Sequence, residues 1–319
     1  MNPVCTFAHT NIALIKYWGK LEHPLNLPAT GSLSLTLDRF GTKTKLSFHD
    51  QKQDTFTLNG QIQTGEPLNR VQKFLDHVRT QVRSTQHCHV ESQNHVPTQS
   101  GLASSASGFA SLALAANHLF ELELSPADLS RLARIGSGSA ARSVFGGFVL
   151  MHKKGAFAEA LNPHPALDVK LIVVQCHQGQ KAISSREGML RTAQTSPYYP
   201  AWVETHPEDL KTAQEALEKG DLKTLGEVTE HSTLKMHASM LAAKPGFCYL
   251  NPVSLDVIQK IKQLRHEQNL SCYFTLDAGP HVKILCPSDQ ADTIVQSLFS
   301  ISGIVSVDVA GPGPGATIL

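Results

Sequence analysis

Apolar and polar residues alternate along Thr42–Phe48, the period of a strand with one buried face. Thr55–Leu58 runs into Asn59-Gly60, a dipeptide that accepts the positive φ of a tight turn, so a hairpin is expected there. Between Val71 and Val82 the apolar positions are Val71, Phe74, Leu75, Val78 and Val82, which share one helical face. Ser104–Phe120 is small and apolar nearly all round, which predicts a helix buried on every side. Ser125-Pro126-Ala127-Asp128 starts another helix, with a hydroxyl cap, proline at the first position and an acid in the first turn. That helix should end near Gly136.

The second half is more regular. Val169–Val174 is an unbroken apolar run rich in β-branched residues, the pattern of a strand buried on both faces. Two helices follow, roughly Glu208–Glu218 and Leu222–Ser239, separated at Gly220-Asp221. Leu255, Ile258, Ile261 and Leu264 mark a third, with Ser254 as its expected cap. Cys272–Leu276 and Val282–Cys286 read as strands about the turn Gly279-Pro280. Asp289–Phe299 reads as a helix and Ile304–Val309 as a last strand. The order is β-α-β-β-α-β, the split βαβ pattern, with helices inserted. A chain of 319 residues is long for one core, so two α+β domains are expected, residues 1–180 and 181–319.

Charge narrows the partners. The formal net charge is +1 with Lys and Arg dispersed, whereas a protein that holds a polyanion carries a basic stripe, which argues against nucleic acid. Apolar runs such as Ala110–Ala116 fall far short of the roughly 20 residues needed to span a bilayer. Met1–Lys20 lacks the basic start and apolar block of an export signal. The six cysteines contain no Cys-x-x-Cys pair and read as reduced thiols of a cytoplasmic protein. Sixteen histidines invite a metal, yet there is no His-Glu-x-x-His, and His87 and His89 lack a third ligand nearby. No dedicated transition-metal site is expected.

The most informative stretch is Pro97-Thr98-Gln99-Ser100-Gly101-Leu102-Ala103-Ser104-Ser105-Ala106-Ser107-Gly108. Small residues let backbone N–H groups approach a ligand, and the segment opens a helix whose N-terminal dipole favours an anion. The alternative is a turn that merely caps a buried helix. No Lys follows the glycines, so this is not a Walker A loop. A bound triphosphate would need cations from elsewhere. Lys16, Lys20, Arg142 and Arg186 each stand beside small or hydroxyl residues, although any one of them alone also suits a solvated surface. Gly136-Ser137-Gly138-Ser139-Ala140-Ala141 imitates a dinucleotide fingerprint, but a capped helix precedes it where a strand is required. There is no Gly-x-Ser-x-Gly elbow for a serine hydrolase.

These residues together resemble the GHMP kinase superfamily, whose second motif is Pro-x-x-x-Gly-Leu-x-Ser-Ser-Ala. Ala8–Lys20 is similar to the N-terminal signature of its diphosphomevalonate decarboxylase branch. Asn26-Leu27-Pro28, Ser32-Leu33-Ser34, Thr36-Leu37-Asp38, Ser137-Gly138-Ser139, Arg142-Ser143, Ser184-Ser185, Gly188-Met189, Tyr249-Leu250-Asn251 and Asp277-Ala278-Gly279-Pro280 match that branch in order. The resemblance runs from about residue 6 to residue 312. It implies an α+β fold of two domains, the first like domain 2 of ribosomal protein S5 and the second ferredoxin-like. It further implies a homodimer, ATP with Mg²⁺, and conversion of 5-diphosphomevalonate to isopentenyl diphosphate.

By the same resemblance the catalytic residues are Asp277, Arg142 and Lys16. Asp277 would face the 3-hydroxyl, Arg142 the carboxylate, and Lys16 the transferring phosphoryl group. Without the resemblance, Asp277 reads rather as a turn former. Tyr17, Lys20 and Arg186 resemble diphosphate contacts, and Ser137 and Ser139 would orient the carboxylate end. Asn11, Trp18, Gly19, Arg70, Gly138, Ala140, Ala141 and Ser185 complete the implied substrate set. Gly101, Leu102, Ala103, Ser104 and Ser105 would carry the ATP phosphates, with Ser105 a candidate Mg²⁺ ligand. Two departures stand out: Ala141 replaces a common Cys, and Ala29-Thr30-Gly31 replaces an Asn-containing variant. Some superfamily members phosphorylate mevalonate at its 3-position only and others decarboxylate the monophosphate. The set Lys16, Arg142 and Asp277 disfavours the former and leaves the latter open. A catalytically silent sensor would be expected to lack Asp277 or Arg142.

Overall fold

The architecture was obtained as a computed structural model, which describes residues 2–22, 25–95, 104–177, 179 and 182–319. In chain order the first part contains β1 (Val4–Ile15), β2 (Lys20–Glu22), β3 (Leu27–Pro28), β4 (Ser32–His49), β5 (Thr55–Leu58) and β6 (Gln61–Ile62). Helix α1 (Glu66–Val82), β7 (His87–His95), α2 (Ser104–Leu119) and α3 (Pro126–Gly136) follow. A 3-10 turn (Gly138–Val144), β8 (Phe148–Met151) and β9 (Ala158–Leu161) close this part. The second part is β10 (Val169–Gln175), α4 (Ser185–Thr195), α5 (Tyr199–Lys219), α6 (Leu222–Leu241) and α7 (Pro252–Gln268). It ends with β11 (Tyr273–Leu276), β12 (Val282–Pro287), α8 (Ala291–Leu298), β13 (Ser306–Ala310) and β14 (Thr317–Ile318).

The first sheet has eight strands among the described residues, in the order β14-β1-β4-β7-β5-β6, with β8 and β9 branching from β4. The branch exists because β4 changes neighbours along its length. Ser32–Leu35 pair with β8, and Gly41–His49 pair with β7. Strand β1 runs antiparallel to β4 throughout, with irregularities after His9 and after Ala13. The side chains divide in the same way. Ala8 and Leu46 pack with α1, α2 and α3 in one apolar cluster, while Ile12, Leu14, Leu33 and Leu35 pack with β10, α5 and α6 in another. A strand covered on both sides has no polar face to alternate, so the second half of β1 reads as unpatterned apolar sequence.

The second sheet runs β11-β12-β10-β13, antiparallel throughout, which is the split βαβ arrangement. Period-two alternation sorts β10. Ile172 and Val174 face α7 and α8, whereas Leu171 and Val173 face β1, β4, α5 and α6. Burial on both faces explains the unbroken apolar run.

Local chemistry corrects three expectations. Helix α5 begins at Tyr199 rather than Glu208 and carries Pro207 inside it. Helix α7 is capped by Asn251, whose Oδ1 accepts from the Ser254 N–H at 2.8 Å. Ser254 sits at the third helical position, where its hydroxyl closes the capping box onto the Asn251 N–H. The last helix splits into a 3-10 turn, Ser288–Gln290, and α8. The α3 start is as expected, with Ser125 Oγ accepting from the Asp128 N–H at 3.2 Å. No helix of the described residues is long and apolar enough to cross a membrane.

Candidate active site

Strand β1 ends at Ile15, and the next residue is a lysine only 1% exposed. Lys16 is pinned by its backbone before its side chain is considered. Its N–H donates to Ser232 Oγ of α6 at 3.0 Å, and its carbonyl accepts from Nε2 of His206 on α5 at 2.8 Å. The ammonium then donates to the Ala13 carbonyl and to Asp277 Oδ1, each at 2.8 Å. Burial lowers its pKa to about 8, with Asp277 opposing and Lys283 and Arg142 assisting.

Asp277 follows β11 at the head of the turn to Pro280, and its side chain is 36% exposed. Burial alone would raise its carboxyl. Lys16 and Lys283, the latter 3.3 Å from Oδ2, instead hold it far below the usual carboxylate range. Asp277 is therefore ionised at any working pH.

Arg142 enters from the 3-10 turn and is 3% exposed. Its Nε donates to Asn11 Oδ1 at 3.1 Å and its Nη1 to Ser32 Oγ at 2.8 Å. The guanidinium carbon lies 5.8 Å from the centre of the Tyr17 ring. Asn11 is oriented in turn by donating to Ser143 Oγ at 2.7 Å and to the Ser139 carbonyl at 3.1 Å. Burial lowers Arg142 to about 10, which leaves it charged at pH 7. Burial raises the Tyr17 phenol to about 12, and among the described residues its hydroxyl has no partner. A Cβ at Gly138 would stand 2.2 Å from that hydroxyl, so the glycine is required by close approach. Gly19, at φ +94°, is required twice over, because a Cβ there would also strike Tyr199.

These groups border a cleft of about 320 Å³ that takes in Asn11, Lys16, Tyr17, Trp18, Lys20, Arg70, Gly136–Ser139, Arg142, Ser184–Arg186 and Asp277. Ser105, Ser137 and Ser139 form a chain of hydroxyls, 3.4 and 3.3 Å apart, at its edge. Three further cations crowd the same space. Lys20 donates to Asn26 Oδ1 at 2.6 Å, and Arg70 donates to the Gly136 carbonyl at 3.1 Å. Burial depresses both, Lys20 to about 8, and each is depressed further by Arg186. Among the described residues Glu66 is the carboxylate that counters Arg70. Cations that repel one another in a half-buried space are an anion site in waiting.

A second hollow of about 330 Å³ adjoins the first and shares Glu66, Arg70 and Ser105 with it. Phe56, Leu58, Val71, Val90, Phe109 and Leu112 give it an apolar wall, and Thr42, Ser92 and Asn94 give it polar points. Nothing in the sequence pattern marked this hollow, because its lining comes from β4, β5, α1, β7 and α2.

The fold thus gathers most of the residues singled out by sequence. Ala140 and Ala141 instead pack into apolar clusters and do not line the cleft. Gly101, Leu102 and Ala103 lie outside the described residues, and Ser104 opens α2. The sequence reading passed over Lys283 and His237, and it matched Asn26 and Ser32 to the family without giving either a role. Lys283 left a signal, a lone charge inside the apolar strand Val282–Cys286. His237 did not: it is buried on α6, where burial, followed by Lys16, lowers it to about 4.

Comparison with known proteins follows the same lines. Residues 8–160 match the diphosphomevalonate decarboxylase-like N-terminal domain, and residues 170–308 match the mevalonate 5-diphosphate decarboxylase C-terminal domain. The diphosphomevalonate decarboxylase of Aspergillus fumigatus is 32% identical over 332 residues, covering 96% of this chain and 82% of that protein. The mevalonate diphosphate decarboxylase of Staphylococcus aureus superposes with a TM-score of 0.95 at 41% identity, over 99% of this chain and 98% of the other. MDDEF in complex with MVAPP, AMPPCP and magnesium superposes with a TM-score of 0.94 at 42% identity, over the same shares. The chain belongs to the diphosphomevalonate decarboxylase family.

Proposed function

We propose that the protein converts 5-diphosphomevalonate and ATP into isopentenyl diphosphate, ADP, phosphate and CO₂. The observation that carries this reading is the division of the cleft. Lys20, Arg70 and Arg186 repel one another at one end, while Arg142, Lys16 and Asp277 stand at the other. The first end suits a multiply charged diphosphate better than a monophosphate. The second offers a carboxylate, a guanidinium and an ammonium to a hydroxy acid.

The roles follow from position. Asp277, anionic and partly open to the cleft, accepts a hydrogen bond from the 3-hydroxyl and aims its oxygen. So firmly ionised a carboxylate is a weak base, and orientation is its main contribution. Lys16 offsets the charge that develops on the phosphoryl group as the hydroxyl oxygen takes it from ATP, ADP being the leaving group and the hydroxyl proton passing to a phosphate oxygen. Arg142, with Asn11 and Ser139 behind it, holds the carboxylate so that the bond to be cleaved lies along the departing phosphate. The C–O bond then breaks with loss of phosphate, and the electron pair of the C–CO₂⁻ bond becomes the new double bond. Ser137 steadies the same end, and Tyr17 and Trp18, whose buried O–H and N–H lack partners among the described residues, offer further donors. The apolar second hollow accommodates the nucleotide base, and Ser105, shared by both spaces, stands where ATP phosphates would pass between them. The Ser105–Ser137–Ser139 hydroxyls fit a hard cation that arrives with the nucleotide, and Mg²⁺ there would neutralise phosphate charge. Residues 1–180 and 181–319 are assigned as the two domains of one protomer, and two such protomers as a cytoplasmic homodimer, whose mass sedimentation equilibrium would test.

The deciding experiment measures ADP and CO₂ from mevalonate, its 5-phosphate and its 5-diphosphate. Equal release of both products with the diphosphate alone is expected. ADP without CO₂ would refute the decarboxylase reading, and equal turnover of the monophosphate would refute the role given to the three cations.

A further inference from the structure

Two cations, not one, hold Asp277. Lys16 takes Oδ1 from β1, and Lys283 approaches Oδ2 from β12 at 3.3 Å. Lys283 is 3% exposed and is flanked along its strand by Val282 and Ile284, both fully buried. A buried ammonium is tolerated only where its charge is matched and its protons are bonded. Here the match is Asp277 and the second acceptor is the His281 carbonyl, 3.2 Å away. Lys16 borders the cleft and Lys283 does not.

That asymmetry gives the two lysines different work. A phosphoryl oxygen arriving in the cleft draws on the same Lys16 ammonium that holds Asp277, so each contact Lys16 gives to the oxygen loosens the carboxylate. Among the described residues Lys283 meets the cleft through Asp277, so a group entering there does not compete for it directly. We propose that Lys283 is a positioning residue, the standing counter-ion that keeps the Asp277 carboxylate in place while Lys16 engages the transferring phosphoryl group. This rests on the roles proposed above for Asp277 and Lys16. Without Lys283 the carboxylate would hold Lys16 more tightly, and the loss would fall on turnover rather than on binding. The other titratable groups around the trio are His237 on α6, Arg142 on the 3-10 turn and His281 in the turn before β12.

The test is Lys283→Met, close in length but uncharged, with Lys283→Arg as the charge-keeping control. In the Met variant kcat should fall about 10- to 100-fold while KM for both substrates stays within about threefold, the mark of a contact that matters in the transition state. The second readout is the titration of Lys16, followed by NMR of ¹³Cε-lysine protein and assigned by the signal that disappears in Lys16→Arg. Removing a neighbouring cation should raise its midpoint by about half to one unit. Lys283→Arg should restore both. An unchanged kcat, or kcat and KM moving together over a fixed Lys16 midpoint, overturns the proposal. Should the Met variant not fold, Lys283→Gln removes the charge, keeps a donor toward His281 and is read in the same way. Asp277→Asn separates the two levels. Normal turnover there would refute the reading of the site, whereas its loss together with a silent Lys283→Met refutes this inference alone.

Discussion

The two ends of the cleft handle positive charge in opposite ways. At one end Asp277 lies within 3.3 Å of both Lys16 and Lys283, so each ammonium has a carboxylate oxygen as its partner although the trio keeps one positive charge. At the other, Lys20, Arg70 and Arg186 face one another with little to balance them. An ion-paired cluster holds its geometry without a ligand, which suits the groups that take part in bond making. An unbalanced one stores repulsion that an anion relieves, which suits binding. The difference teaches that polar clusters should be read by how their charges are paired rather than by their number of charged groups.

Substitutions can break that contrast at either end. The largest effect is expected for Asp277→Asn, with turnover falling about 10³-fold or more, the scale of a lost orienting and electrostatic contact. ATP binding, measured by calorimetry, should persist. Next comes Arg142→Lys, which forfeits the fork that meets Asn11 and Ser32, and kcat/KM should drop about 100-fold as charged hydrogen bonds are lost. Lys20→Met should act at the opposite end and in the opposite parameter. KM for the diphosphate should rise about tenfold with kcat within about twofold, the pattern of uniform binding. That KM should also climb with added salt, because the cluster is partly open to solvent.

The smallest expected effect is on stability. Burial holds His206 and His237 at about 4, below the ordinary histidine value of 6.5. The unfolded chain therefore binds more protons between those values, so the contribution is intact above pH 6.5 and is lost as pH falls toward 4. Melting temperature should decline across that window. His206→Gln, which keeps a donor for the Lys16 carbonyl, should flatten the decline by about one proton's worth of slope.

The limits of reading the sequence have physical causes. The second sheet was legible because α7, β12 and α8 obey their periods, and β10 carries the β-branched run of a doubly covered strand. Strand β1 and the first half of β4 were not, since each strand changes its covering layer halfway, and the period-two signal survives only along Thr42–Phe48. Helix α5 was placed late because Pro200 and Pro207 mimic breaks, although a proline in the first turn gives up no bonded N–H. Within the site, Lys16, Arg142 and Asp277 were found through motifs, because each follows a strand or turn with a recognisable local sequence. Lys283 and His237 were missed because their significance comes from partners 6 and 40 positions from Asp277 in a chain that folds back on itself.

Strand β1 carries a consequence beyond the site it ends in. Its first half belongs to the apolar cluster with α1, α2 and α3, and its second half to the one with β10, α5 and α6. Hydrogen bonds from Ser232 and His206 then fasten the following residue to the second part. The second cluster draws on both parts, while β14 pairs with β1 and Ala316 before it packs against the first, so the two halves that sequence comparison separates are built as one unit. Heat or denaturant acting on either core removes the support of the other, and the boundary between them is evolutionary rather than thermodynamic.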